Sequence, residues 1–181
     1  MATVTPAHLA AQIVVEGCLP MIQEKVRGGL PVEGRLLSEA EKRERGMIDA
    51  LTVNPQMSQT ISYKIGRDEV LLDLDRSQAS VWFSNADYDK AMGLLDMALK
   101  AQYPRAQQTE DRAHPDAEGM RVRLYTVELD PALRASIEVS YAAPGGVGRQ
   151  FVVRVRAQIT KDAHDKAIAA FKAMAQETKK H

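Results

Sequence analysis

The feature that most constrains this chain is a change in the spacing of its apolar residues near residue 60. Before that point apolar residues recur every three or four positions, which is typical of helices. After it they alternate with polar residues, which is typical of half-buried strands, in two blocks over 60–83 and 120–159. A stretch with helical spacing follows each block. The sequence therefore predicts an α+β fold: an antiparallel sheet with helices on one face.

Helix signals dominate residues 1–57, which we predict to be an N-terminal helical segment built around a helical pair. Thr5-Pro6 is a typical start, with an N-cap threonine and a proline at the first helical position. Ser38–Glu41 matches a capping box and predicts a second helix that runs to about residue 51. Pro20 removes one helical hydrogen bond, so we expect a kink or break near Gly17–Leu19.

The first alternating block predicts three strands joined by short turns. A two-residue turn at Arg67-Asp68 pairs Tyr63 with Leu72 and places the apolar side chains on one face. A second tight turn, after residue 75, makes Leu71 and Trp82 cross-strand neighbours on the other face. The block is therefore expected to form a three-stranded meander.

The second block repeats this order, so residues 58–181 are predicted to be a duplicated sheet domain of two βββα units. Asp89-Lys90-Ala91 and Asp165-Lys166-Ala167 stand at equivalent points near the two helix starts, which favours an internal duplication. The expected result is one antiparallel sheet of about six strands in one compact domain. The polar residues Pro104–Gly119 are expected to be a loop.

Composition narrows the class of protein and its location. Twenty-four Lys and Arg balance twenty-four Asp and Glu, which argues against nucleic acid as a partner. No apolar run reaches the roughly 20 residues of a membrane span. Cys18 is the only cysteine, which excludes an intramolecular disulfide and favours the cytoplasm. The alternative is a periplasmic protein whose leader has been removed, with a Met1 that is not native.

The Gly-Cys-Leu-Pro motif at Gly17–Pro20, with the strands and the alanine-rich helix that follow, resembles small uncharacterised secreted proteins of proteobacteria. The resemblance covers Pro6–Leu30 and Val70–Ala101. In that family the helical cysteine has a second cysteine as its partner on the central strand. Ala79–Trp82, the corresponding stretch here, has none, so no disulfide is carried over. The resemblance implies no particular activity. It shifts the predicted location to the periplasm and leaves the cytoplasm as the alternative.

The sequence leads us to predict no catalytic residue, no metal site and no cofactor. No Gly-x-Ser-x-Gly motif is present, and the four histidines are scattered without metal-ligand spacing. Cys18 stands on an apolar helical stripe and is expected to be buried. Hard metal ligands do gather between Pro104 and Gly119, and we interpret them as a solvated acidic loop. They are Glu110, Asp111, His114, Asp116 and Glu118.

The second block suggests a binding surface. If Val122 and Val153 point into the core, alternation places four arginines and a tyrosine together on the opposite face. Such a patch is suited to an acidic or anionic partner, because guanidinium groups make forked contacts with carboxylates. The alternative is a solvated sheet face whose arginines pair with Glu138 and Glu128. The predicted patch consists of Arg121, Arg123, Tyr125, Arg154 and Arg156.

Leu71 and Trp82 form a second candidate surface. An exposed tryptophan beside a leucine on a sheet is typical of an interaction site. The alternative is that the N-terminal helices pack over this pair with Ile13 and Met21.

These observations favour a non-catalytic interaction module that binds a protein partner or forms a homodimer. Two alternatives remain open. One is a carrier of a small anionic or amphipathic ligand held between the helices and the sheet. The other is a small enzyme with its site near the 104–119 loop.

Overall fold

The computed structural model describes residues 4–23, 33–45, 59–74, 78–84, 87–116, 118–142 and 150–159, and seven residues between 161 and 169. Its helical elements are α1 (Pro6–Gln12), a π-helical segment (Ile13–Cys18), α2 (Leu19–Ile22), α3 (Glu39–Glu44) and α4 (Tyr88–Gln102). Its strands are β1 (Arg35–Leu36), β2 (Gln59–Ile65), β3 (Asp68–Leu74), β4 (Gln78–Ser84), β5 (Gln107–Ala113), β6 (Met120–Asp130), β7 (Leu133–Ala142) and β8 (Gln150–Ile159).

The strands form one antiparallel sheet, in the order β1-β2-β3-β4-β8-β7-β6-β5. This confirms the predicted α+β fold. The expected number of about six strands is wrong, because the described part of the chain forms a sheet of eight. The additional strands are its two edges. The edge strand β5 lies within the stretch predicted to be a loop, and it shows no apolar alternation because almost all of its side chains are exposed.

The strand order is the same from either edge of the sheet. The strands β1 to β4 run inward from one edge and β5 to β8 from the other, so that β4 and β8 pair in the middle. Because β4 and β8 are antiparallel, the strands of one half are related to those of the other as by a two-fold axis normal to the sheet. The helix α4 follows β4, and the described residues between 161 and 169, which follow β8, are helical. Ile168 is 41% exposed there.

The register of the first hairpin differs by two residues from the prediction. Tyr63 pairs with Val70 rather than with Leu72, because the turn is formed by Gly66-Arg67. Gly66 has a φ of 60°, a left-handed conformation that glycine adopts without steric cost. The predicted pairing of Leu71 with Trp82 is confirmed.

Of the kink or break predicted near Gly17–Leu19, the break is wrong, because the first helix is continuous from α1 to α2. Thr5 caps it through a bond from the backbone N–H of His8 to the threonine hydroxyl, as predicted. Ahead of the proline the helix widens into the π-helical segment, where the Leu19 N–H donates to the Val14 carbonyl. A proline cannot donate the usual helical bond, and one π-helical stretch accommodates its ring without ending the helix.

The hydrophobic core lies between one face of the sheet and the two long helical elements. The first helix lies over β3, β4 and β8 and packs along α4. Tyr88 of α4 stacks on Phe151 of β8 with ring centroids 6.2 Å apart. The short helix α3 begins with the predicted Ser38 capping box, and its predicted continuation lies outside the described residues. Asp87 caps α4, where its side chain accepts the backbone N–H of Lys90.

Candidate functional site

The four arginines of the predicted patch do not share a face. Arg123 lies opposite Val139, and Val139 lies opposite Val153 on the next strand. Residues directly opposite in antiparallel strands share a face, so Arg123 lies on the core side with Val153. Arg154, the neighbour of Val153, lies on the other side. The prediction of one shared face is therefore wrong: Arg121, Arg123 and Tyr125 are on the helix face, whereas Arg154 and Arg156 are on the opposite face.

The four arginines were predicted to share one face because Val122 was taken to point into the core, which fixes the face of every other residue of β6. This strand carries apolar residues on both faces, with Val122 on one side and Tyr125 and Val127 on the other. All three are buried, so alternation alone supports either phase. The apolar pair Tyr125 and Val127, which the structure buries on the core side, indicates the orientation that β6 adopts.

On the helix face, Arg121 and Arg123 bind one carboxylate. Asp111 of the edge strand accepts bonds from Nε and Nη2 of Arg123, at 3.0 and 2.8 Å, and from Nε of Arg121 at 3.1 Å. Burial raises the pKa of Asp111, but the hydrogen bonds from the two guanidinium groups outweigh it and hold the pKa below its ordinary value. The Tyr125 hydroxyl donates to Asp96 of α4. These side chains attach β5 and α4 to the sheet.

On the opposite face, the two remaining arginines have partners of their own. Arg154 donates to Glu138 at 3.0 Å, which is the pairing expected of a solvated sheet face. Arg156 donates to the side-chain oxygen of Gln78 at 2.8 Å. The patch predicted for an acidic partner is thus divided between two faces, and these arginines bind groups of the chain itself.

Leu71 and Trp82 lie on that same opposite face, where they continue into Val152 of β8. Leu71 is only 6% exposed. The first helix does not cover the pair, since its residues pack in the core cluster on the other face. A shallow hollow of about 240 Å³ lies beside Trp82 and is bordered by Lys64 and Glu69. The binding role predicted for this pair stays a prediction.

The segment predicted for an enzyme site is the edge strand β5 and the turn after it. Alternation along β5 separates Glu110 from Asp111, which face opposite sides of the sheet. Glu110 binds Arg112 at 2.9 Å, and the His114 ring accepts the backbone N–H of Asp116. In the described part of the chain, no group of three His, Cys, Asp or Glu side chains is placed to hold a metal ion.

A groove of about 560 Å³ runs along the outer surface between the first helix and α4. Its floor is apolar, and three of the floor residues are alanines. Small side chains let the helix backbones lie close together and leave the space above them open. The floor residues are Ala11, Val15, Leu94, Ala98 and Ala101.

The rim of this groove carries exposed apolar side chains beside a few polar ones. Met97 is 64% exposed and Val4 is 54% exposed. Glu16, which accepts a bond from Gln12 at 3.1 Å, contributes the one carboxylate among the described lining residues. His8 borders the groove about two turns earlier in the same helix. The lining residues that the structure describes include no lysine or arginine.

The sequence of α4 carries a signal for the groove. The stripe of α4 that packs on the core includes Ala91, Leu95 and Leu99, all of which are buried. A second apolar stripe runs along the flank of the same helix and includes Leu94 and Ala98. A surface helix needs only one such stripe to cover a core, so the second indicates a further contact surface.

Cys18 is buried, as predicted, at the end of the π-helical segment. Burial raises the pKa of its thiol to about 12. At neutral pH the group is a protonated thiol, which is a poor nucleophile. The cysteine therefore belongs to the core.

No protein-family model matches the chain, and searches of the curated proteins and of the solved structures found no match either. None of the described helices combines the length and hydrophobicity that crossing a membrane requires.

Proposed function

We propose that this protein is a non-catalytic interaction module that binds an amphipathic helix of a partner protein in the groove between the first helix and α4. The observation that carries the proposal is the exposed Met97 side chain beside an alanine-rich floor. Apolar grooves between two packed helices accept the apolar ridge of a third helix. The unbranched methionine adapts to different partner side chains.

The size and charge of the groove support this occupant. Its volume of about 560 Å³ suits a row of a few large apolar side chains. Glu16 is placed to pair with a lysine or arginine at one end of the bound helix, and no basic residue of the described lining opposes that contact. We therefore expect a partner helix with one apolar face and at least one basic residue.

The proposed test uses a synthetic peptide of about 18 residues, or five helical turns, with leucines on one face and lysines on the other. A peptide of the same composition in scrambled order is the control. Binding is followed by the methyl NMR signals of Met97, Val15 and Leu94. We expect the patterned peptide to shift these signals and the scrambled peptide to leave them unchanged.

Two variants locate the binding. Ala101→Trp fills the groove and should weaken peptide binding at least tenfold, about 1.4 kcal/mol. Lys90→Trp places the same side chain on an exposed position of α4 outside the groove lining and should have no effect. Equal binding by both variants, or equal binding of the scrambled peptide, contradicts the proposal. If a single-chain fatty acid shifts the same signals and the peptide does not, the groove belongs to a ligand carrier.

We also propose that the two halves of the sheet arose by internal duplication of a βββα unit. The symmetric strand order and the helical residues after both β4 and β8 support this. Superposition of the halves should bring the core-facing residues of β4 onto those of β8. The periplasmic location suggested by the resemblance stays a prediction, to be checked by fractionation of the native cells.

A further inference from the structure

The two edges of the sheet differ in length. The edge strand β1 has two residues, whereas β5 has seven. Among the described residues β5 is paired on one side only, with β6. A long unpaired edge presents a row of backbone donors and acceptors that another strand can bind.

The hydrogen-bond pattern identifies the backbone groups that point away from the sheet. His114 donates its backbone N–H to the Met120 carbonyl at 2.9 Å, one residue beyond the end of β5. Backbone groups alternate in direction along an antiparallel strand. Arg112 therefore faces β6, and Asp111 and Ala113 direct their N–H and C=O groups outward.

We propose that β5 pairs with β5 of a second copy of this chain, so that two sheets become one across a two-fold axis at Asp111. In this register Asp111 lies opposite the partner's Asp111 and exchanges both backbone bonds with it. Glu110 lies opposite the partner's Arg112, and Arg112 lies opposite the partner's Glu110. These are non-hydrogen-bonded positions, where facing side chains approach most closely.

Charge complementarity selects this register. Glu110 and Arg112 share one face of the sheet, and each is about half exposed. With the axis at Asp111, Glu110 and Arg112 of the two chains form a square in which each charge has opposite charges as its neighbours. A shift of the axis to Glu110 or to Arg112 would place like charges opposite each other, which is unfavourable.

The two facing Asp111 carboxylates do not prevent this pairing. Each is already bound by Arg121 and Arg123 of its own chain, so the group facing the partner is not an isolated negative charge. A two-fold axis normal to the sheet also keeps the helices of both copies on the same face.

A contact through one strand is smaller than a standard protein interface, so the dimer should be weak. Sedimentation velocity of the full chain over a range of concentrations, at low ionic strength, should show reversible dimerisation. Glu110→Arg and Arg112→Glu each place like charges opposite each other and should weaken the dimer at least about tenfold. Ala101→Trp in the helix groove is the control and should dimerise like the wild type.

Mixing provides the sharpest test. The Glu110→Arg chain presents two arginines and the Arg112→Glu chain two glutamates. An equimolar mixture should therefore form a heterodimer at concentrations at which each variant alone is mainly monomeric. Ala113→Pro removes one outward-facing N–H and should also give a monomer with unchanged secondary structure. A wild type that stays monomeric, charge variants that dimerise normally, or a mixture that stays monomeric would overturn the proposal, whatever the outcome of the peptide experiment.

Discussion

Two buried tyrosines, Tyr63 and Tyr125, differ in what their hydroxyl groups contact. The Tyr125 hydroxyl donates to Asp96, whereas that of Tyr63 has no hydrogen-bond partner among the described residues. Burial raises the pKa of Tyr63 to about 12, so its hydroxyl stays protonated and polar at neutral pH. We expect Tyr63→Phe to raise the free energy of unfolding by about 1 kcal/mol and Tyr125→Phe to lower it by about 1 kcal/mol. Urea unfolding of both variants checks this, and a larger loss in Tyr63→Phe would contradict it.

At the scale of single elements, β1 depends on a close approach to β2. A Cβ atom added at Gly34 would lie 2.7 Å from Cε1 of Tyr63 and collide with the Ile61 side chain. Because both neighbours belong to the sheet, we expect Gly34→Ala to lower the free energy of unfolding by about 1–3 kcal/mol. Gly93→Ala, on an open surface of α4, is the control and should raise it by up to about 1 kcal/mol. Hydrogen exchange should show the loss concentrated at β1 and β2, and equal effects of the two substitutions would refute this explanation.

Some elements of the fold could be predicted from the sequence and others could not. The capping signals at Thr5 and Ser38 and the pairing of Leu71 with Trp82 were predictable, because each depends on local chemistry or clear alternation. The strand β5 was not, because an edge strand with exposed side chains leaves no apolar pattern. The phase of β6 was ambiguous for the opposite reason, since that strand is apolar on both faces. The groove could not be predicted either, because it depends on how two helices that are distant in the sequence pack together.

For the molecule as a whole, carboxylates with lowered pKa values make stability depend on pH. The Arg35 side chain and the Ser38 backbone lower the pKa of Glu41 to about 2, and the pKa of Asp111 is also below its ordinary value. Such groups stabilise the folded state above the unfolded pKa, near 4, and lose this effect as the pH falls through the folded pKa. We therefore expect Tm to fall as the pH is lowered from about 5 to about 2.

The substitution Asp111→Asn should lower Tm at neutral pH and make its decrease toward acid shallower. Asp116→Asn, at an exposed position in the turn after β5, is the matched control. Thermal unfolding of dilute protein across this pH range provides the measurement. A variant whose Tm falls as steeply as that of the wild type would exclude Asp111 from the acid transition.

The central pairing of β4 with β8 has a consequence for the order of folding. The hairpins within each half join residues close in the sequence, whereas β4 and β8 join residues such as Val81 and Val153 from opposite halves. The chain must close this long loop before those contacts form, and such closure slows folding. We therefore expect each meander to form early on its own and the meeting of the two halves at the middle of the sheet to be the slow step of folding.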